Sequence, residues 1–205
     1  MKKAILILFG IFFISSSNAQ IEYPQNQEKG GWFFTNYFGF AILKVEDSYK
    51  TNATLYGGTI AKEFKFSQNY SIIAGVEHLR VRSDIQLAGE NAFISQNFLQ
   101  IPVNVRMNFG EDRTTLYLDL GLYGAYLYNS NVEIISEGIH ETEKGLGFNF
   151  GLASGFGVSH VVAQNLKFQF GFHSQTDILQ SYKEANTKTE LSELYALRFG
   201  VAILF

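Results

Sequence analysis

Few residues of this chain combine type and spacing in a way that could do chemistry. Ser159-His160 and His173-Ser174 bring a hydroxyl next to an imidazole, and a serine becomes nucleophilic only beside a base. The spacing works against that chemistry. Adjacent residues of a β-strand point to opposite faces, so His173 does not serve Ser174, and only Asp177 and Glu193 offer a carboxylate to orient a base. A second group, Glu133, Glu137, Glu141 and Glu143 with His140, lies against Lys144 and would suit a divalent cation or a basic partner if it were more than solvated loop charge. A third is a scatter of charge on strand positions otherwise occupied by small residues: Glu63, Lys65, Glu77, Arg106, Asp119, Lys167, His173 and Arg198. There is no Asp-x-Asp-x-Asp-Gly loop, no glycine-rich phosphate cradle and no His-Glu-x-x-His helix. No catalytic residue, metal site or cofactor is expected.

The composition narrows the setting. Of 205 residues, 46% are hydrophobic, 16% aromatic and 17% charged, with 19 Gly, 20 Phe, 11 Tyr, 2 Pro and no Cys. The absence of cysteine excludes disulfides, thiolate metal sites and a cysteine nucleophile. A formal charge of −3 supplies no basic field to hold nucleic acid. The charged fraction falls below the roughly 25% of soluble domains.

The first segment reads as an address. Lys2 and Lys3 precede the apolar run from Ala4 to Ile14, and Ser15-Ser16-Ser17-Asn18-Ala19 supplies a small-residue cleavage site, so residues 1–19 are expected to be a signal peptide. The apolar run is too short for the ~20 residues of a membrane-spanning helix. Cleavage leaves 14 basic against 19 acidic residues, a net charge of −5. Gln20 at the new terminus is not a cysteine, so no lipid anchor is expected there.

After a polar lead at 20–30, a single domain at 31–205 shows period-two alternation punctuated by Gly and Asn. Eight strands are predicted, near Gly31–Leu43, Ala53–Phe66, Tyr70–Ser83, Ile94–Phe109, Thr115–Asn129, Gly145–His160, Leu166–Leu179 and Leu191–Phe205. The connections between them alternate long and short. An up-and-down sheet with one elaborated end and one plain end is the layout of an outer-membrane barrel.

The two faces decide between water and lipid. In the fourth strand Leu99, Ile101, Val103, Val105, Met107 and Phe109 share one face, and Gln100, Pro102, Asn104, Arg106 and Asn108 the other. The sixth strand sets Phe148, Phe150, Leu152, Phe156 and Val158 against Gly147, Asn149, Gly151, Ala153, Gly155, Gly157 and Ser159. The interior of an eight-stranded barrel is only wide enough for side chains to fill, so the bulky face must look outward. In water such an exterior would aggregate. The expected fold is therefore all-β, an eight-stranded antiparallel up-and-down transmembrane β-barrel, closed because an open edge in hydrocarbon leaves backbone groups unpaired.

Tight turns normally face the periplasm, which puts both termini there. Tyr56, Tyr126, Tyr128 and Tyr195 are expected at the outer interface, and Phe66, Tyr70, Phe109 and Phe168 at the inner one. The charged small-face residues become a lumen salt-bridge network, with Arg106 opposite Asp119. Past an expected register break near His78, Arg80 and Arg82 join that face. Pro102 in mid-strand costs a ladder donor and suggests a bulge.

The stretch Leu99-Gln100-Ile101-Pro102-Val103-Asn104-Val105-Arg106, followed by Met107-Asn108-Phe109-Gly110, resembles the Leu-x-Ile-Pro strand of the small outer-membrane β-barrel family of Bacteroidota often called PorT-like. Leu116 to Tyr128 and the spaced glycines between Phe150 and Val158 are similar to that family's later strands. The ending from Arg198 to the terminal Phe205 is similar to the signal read by the outer-membrane assembly machinery. These resemblances imply a barrel of a Gram-negative cell envelope. The expected role is non-enzymatic, structural or binding, exercised through extracellular loops above a side-chain-filled lumen. Outer-membrane lipid, lipopolysaccharide, the assembly machinery and an envelope protein are the expected partners. The alternatives are an accessory component of a secretion system, a lipid A-modifying barrel hydrolase and a small channel.

Overall fold

A computed structural model describes residues 30–45, 49–87, 90–110, 113–134, 139–182 and 189–205. The expected signal peptide at 1–19, nearly all of the polar lead, and Glu137 lie outside the described residues. The strands are β1 (Gly31–Val45), β2 (Tyr49–Lys65), β3 (Tyr70–Leu87), β4 (Glu90–Phe109), β5 (Thr114–Ile134), β6 (Ile139–Ala163), β7 (Leu166–Tyr182) and β8 (Thr189–Leu204). Each pairs antiparallel with its sequence neighbours, and β1 pairs with β8, closing the barrel in the order β1 to β8. Closure gives every strand a neighbour on both sides, with β7 and β8 paired from Leu166↔Ile203 to Gln175↔Leu194.

The connections at 66–69, 110–113 and 164–165 define one end, here the turn end, which also carries Gly31 and Phe205. Ser67 Oγ accepts from the backbone N–H of Tyr70 at 3.0 Å, and Asn108 N–H donates to the Asn69 carbonyl at 2.7 Å, tying the first of these turns to β4. Gly110, at φ 117°, begins the second in a conformation that side chains resist.

The opposite, loop end corrects the expected layout. The segments 44–52, 84–93 and 130–144, expected as long loops, are strand over most of their length, and of 180–190 the described residues 180–182 and 189–190 are strand. Their described residues extend the strands, as in the pairs Lys44↔Lys50, Gln86↔Asn91 and Glu133↔His140. Strands reach 25 residues in β6, against the roughly 9–11 a tilted strand needs to cross a bilayer. Their polarity disguised them as loops. Over the part of each strand nearer the turn end Phe, Leu, Val and Ile point outward, Phe148 at 64% exposure among them, and most polar or small residues point in. Toward the loop end the sense reverses in most strands, though Ile178 and Leu179 of β7 stay exposed.

In β3, Ile72 and Val76 face out and Glu77 faces in, but two residues later Leu79 and Val81 are inside and Arg80 and Arg82 outside. The register of β3 against β2 is unbroken through this change, so the expected slip near His78 does not occur. What changes is the solvent. Outside hydrocarbon, a sheet buries its apolar face as any water-soluble barrel does. Leu43, Leu55, Leu79, Val81, Phe98, Leu127, Leu191 and Leu194 form that inner apolar layer.

Two further features of the sequence find their place. The expected bulge at Pro102 is absent, since Ala74↔Val103 and Glu77↔Gln100 share one register. Pro102 instead falls at the interruption of pairing opposite Gly75, where its missing N–H costs least. The small residues of β6 and β7 make room on the inner wall for the large side chains of neighbouring β5. A Cβ on Gly157 or Gly171 would strike the Tyr117 hydroxyl, and one on Gly151 would strike the Tyr123 ring.

Candidate functional site

The lumen is built in layers from inward strand positions. Nearest the turn end, Phe33, Ala61, Ile73 and Ala202 pack together. Lys167 Nζ lies 3.7 Å from Glu63 Oε2 and 5.0 Å from the centre of the Phe33 ring, while Ser71 Oγ donates to Glu63 Oε1 at 2.8 Å. Lys65 shares the inward face at the rim, half-buried beside Ser71.

Next comes the charge layer. Arg106 and Asp119 are directly paired across β4 and β5. The guanidinium donates through Nε to Oδ1 at 2.7 Å and through Nη2 to Oδ2 at 2.8 Å, a two-pronged bond. Arg198 Nη2, from β8 across the barrel, donates to the same Oδ2 at 2.7 Å. Both guanidinium groups lie against Tyr117, at 4.1 Å and 5.0 Å from its ring centre, where a cation over an aromatic face is attracted. Arg106 Nη1 donates to Gln169 Oε1 at 3.2 Å, and Gln169 Nε2 to Thr35 at 3.0 Å, so five strands join one network.

Above it, the Thr59 hydroxyl donates to Glu77 Oε2 at 2.7 Å and lies 3.1 Å from the Tyr37 hydroxyl, and Gln175 Nε2 donates to Glu77 Oε1 at 3.3 Å. His173 is buried here against the Tyr37 ring, 4.9 Å between centroids. Neither of its ring nitrogens has a hydrogen-bond partner in the protein. Asp177 is engaged elsewhere, accepting from Tyr123 Oη at 2.6 Å and Asn149 Nδ2 at 2.8 Å, and Glu193 bonds Tyr195 outside the barrel. Ser159 faces inward and bonds Thr115, while His160 faces outward and bonds Thr114. Among the described residues no serine–histidine–carboxylate relay exists. The apolar layer then seals the lumen toward the loop end.

Glu63, Glu77, Arg106, Asp119, Lys167, His173 and Arg198 are thus brought together on the inner wall, each at most 6% exposed. The acidic group is not brought together. Glu133 stands on the outer face, 3.7 Å from His140, while Glu141 and Glu143 pair with Val132 and Ser130 on the face that continues from the lumen. No group of three or more possible metal ligands occurs among the described residues. Phe205 ends the outward apolar row of β8, at 56% exposure.

Three groups escaped the reading of the sequence. Tyr37 and Tyr117 sit on inward positions where aromatic residues were assigned to interfaces, and the glycines facing Tyr117 were the available signal. The third is Arg80 and Arg82, expected inside and found outside. The Arg80 guanidinium lies 5.8 Å from the Tyr56 ring centre and its Nε donates to Ser95 at 3.0 Å; Arg82 lies 4.9 Å from the Phe93 ring centre. Below them His78 Nε2 is 2.9 Å from the Tyr128 hydroxyl, and Tyr126 stacks on Phe148 at 4.8 Å. Phe66, Tyr70, Phe109 and Phe168 ring the turn end of the exterior.

With this geometry in hand, solved structures supply a counterpart. Neisserial surface protein A superposes with a TM-score of 0.52 at 14% identity, over 87% of this chain and 100% of that one. The chain shares its fold with that protein. Ail of Yersinia pestis, at 0.46 and 14% identity over 87% and 100% of the two chains, and a major outer membrane protein of Thermus thermophilus, at 0.48 and 9% over 86% and 99%, are similar more loosely. No protein-family model matches the chain, and no curated protein matches it.

Proposed function

We propose that this chain is a non-enzymatic barrel of a Gram-negative outer membrane, related to the PorT-like proteins, that acts as a structural or binding protein through its loop end. The single observation that carries the reading is the filled lumen. The Arg106–Asp119–Arg198 layer spans the barrel from β4 to β8, and the apolar layer lies above it. A channel needs a continuous wet path, and a serine-type lipid A hydrolase needs a relay that His173 and Asp177 do not form. The apolar exterior supports insertion in lipid, and the fold shared with Neisserial surface protein A supports an outer membrane. The loop end then faces outward and both termini face the periplasm. Outer-leaflet lipid, with lipopolysaccharide, is the constant neighbour; an envelope protein is the partner to seek, and Phe205 serves the assembly machinery.

Two measurements test the reading. A Glu133→Cys variant in intact cells should react with a membrane-impermeant maleimide, and purified protein in planar bilayers should pass no porin-sized current. Absence of labelling from outside, or stable solute conductance by the wild-type chain, would overturn it.

A further inference from the structure

The outward face of β2 to β6 carries a polar collar where the strands leave the apolar belt. Cross-strand pairing aligns it in two rows. The lower runs Tyr56, Arg80, Asn97, Asn129 and Lys144, and the upper runs Thr54, Arg82, Ser95, Asn131 and Thr142. Directly beneath lie His78, Leu99, Tyr126 and Phe148, on the lipid side of the aromatic level.

Three features of the collar point to a ligand that is anionic at one level and donates hydrogen bonds through hydroxyls. Arg80 and Arg82 make no ion pair with a described residue; their contacts are an aromatic ring each and, for Arg80, the Ser95 hydroxyl. Those contacts hold the guanidinium groups in place and leave their charge uncompensated among the described residues. The Oδ1 atoms of Asn129 and Asn131, two strands away, have no hydrogen-bond partner in the protein, and as acceptors they suit sugar hydroxyls rather than the phosphate. Carboxylates begin only one row farther out, with Asp84 and Glu133. The charge thus changes sign with height: cationic against the lipid, anionic beyond it. A ligand that matches this order carries phosphate close to its acyl chains and sugar hydroxyls above. Clustered basic residues at a membrane surface bind anionic headgroups, and planar guanidinium groups suit phosphate oxygens.

We infer that the collar formed by Arg80, Arg82, Asn97, Asn129, Asn131 and Lys144 seats the phosphorylated sugar headgroup of an outer-leaflet lipid. The inference rests on the reading of an outer-membrane barrel with its loop end outward, and it names the ligand of that end. The acyl chains lie down the apolar face below Tyr126 and Phe148, and the phosphate meets Arg80 and Arg82 without displacing any described carboxylate from them.

The test uses the full mature barrel in detergent, titrated with diphosphorylated lipid A and with the same lipid after enzymatic dephosphorylation, and read by native mass spectrometry. Wild-type protein should retain the phosphorylated form about tenfold more tightly. R80Q/R82Q should bring the two forms within about twofold of each other, and R80K/R82K should keep part of the preference. Heat-modified migration in gels confirms that each variant remains a folded barrel. The same loss of preference in K62Q, at the turn end, would overturn the site, since it would report diffuse charge. A preference that survives R80Q/R82Q, or is abolished by millimolar inorganic phosphate, would also overturn it. None of these failures touches the surface labelling of Glu133→Cys, on which the outer-membrane reading stands separately.

Discussion

Glu77 and Leu79 stand two residues apart on the same inward face of β3, the first hydrogen-bonded to Thr59 and the second packed in an apolar layer at 1% exposure. Between them the barrel passes from a fold turned inside out for lipid to one with its greasy side in. The strand itself does not change. Its surroundings do, because an exterior side chain meets hydrocarbon below this level and water above it.

That boundary can be mapped without background, since the chain has no cysteine. Arg82→Cys should react with a water-soluble maleimide in reconstituted vesicles, whereas Val76→Cys should resist it and respond instead to a lipid-borne quencher. Equal reactivity at the two positions would remove the boundary.

The apolar layer should tolerate charge poorly. Val81→Asp places a carboxylate among Leu55, Leu79 and Phe98, with an expected loss of about 2 kcal/mol or more in urea unfolding. Thr54→Asp, one strand away on the wet exterior, should change stability by less than ~0.5 kcal/mol. The contrast between the two is the informative quantity.

Arg106→Ala strips the two-pronged partner from Asp119 and leaves only Arg198 to balance it. A buried pair broken on one side costs roughly 3–5 kcal/mol, so the midpoint of unfolding should fall sharply. Conductance should stay far below that of a porin, because Tyr117, Phe33 and Arg198 still occupy the cross-section. Large, stable single-channel currents would instead assign Arg106 the part of a gate.

Overpacking should betray the match between Tyr117 and its glycines. Gly157→Val should cost about 1–3 kcal/mol, and adding Tyr117→Ala should restore part of that loss. The Phe170 carbonyl also stands in the way of a Cβ at this position, so full rescue is not expected. Strict additivity of the two substitutions in a double-mutant cycle would show that they do not meet.

The alternation was legible in the chain alone, and through it the strand number, the closed barrel and the inward placement of Arg106, Asp119, Glu63, Glu77, Lys167 and Arg198. Period-two patterning is local, and a strand's faces follow from the pleat alone. Pairing across the short turn at 110–113 is nearly local too, which is why Arg106 could be set against Asp119 in advance. The remaining contacts needed the assembled barrel. Arg198 reaches Asp119 from the other end of the chain, and Tyr117 finds Gly157 and Gly171 on strands that follow it. The face of Arg80 and Arg82 was equally out of reach, because the same alternation means opposite things on the two sides of a membrane surface. A residue's neighbours along the chain do not say where that surface lies; the closed barrel, with its aromatic level and its apolar cap, does.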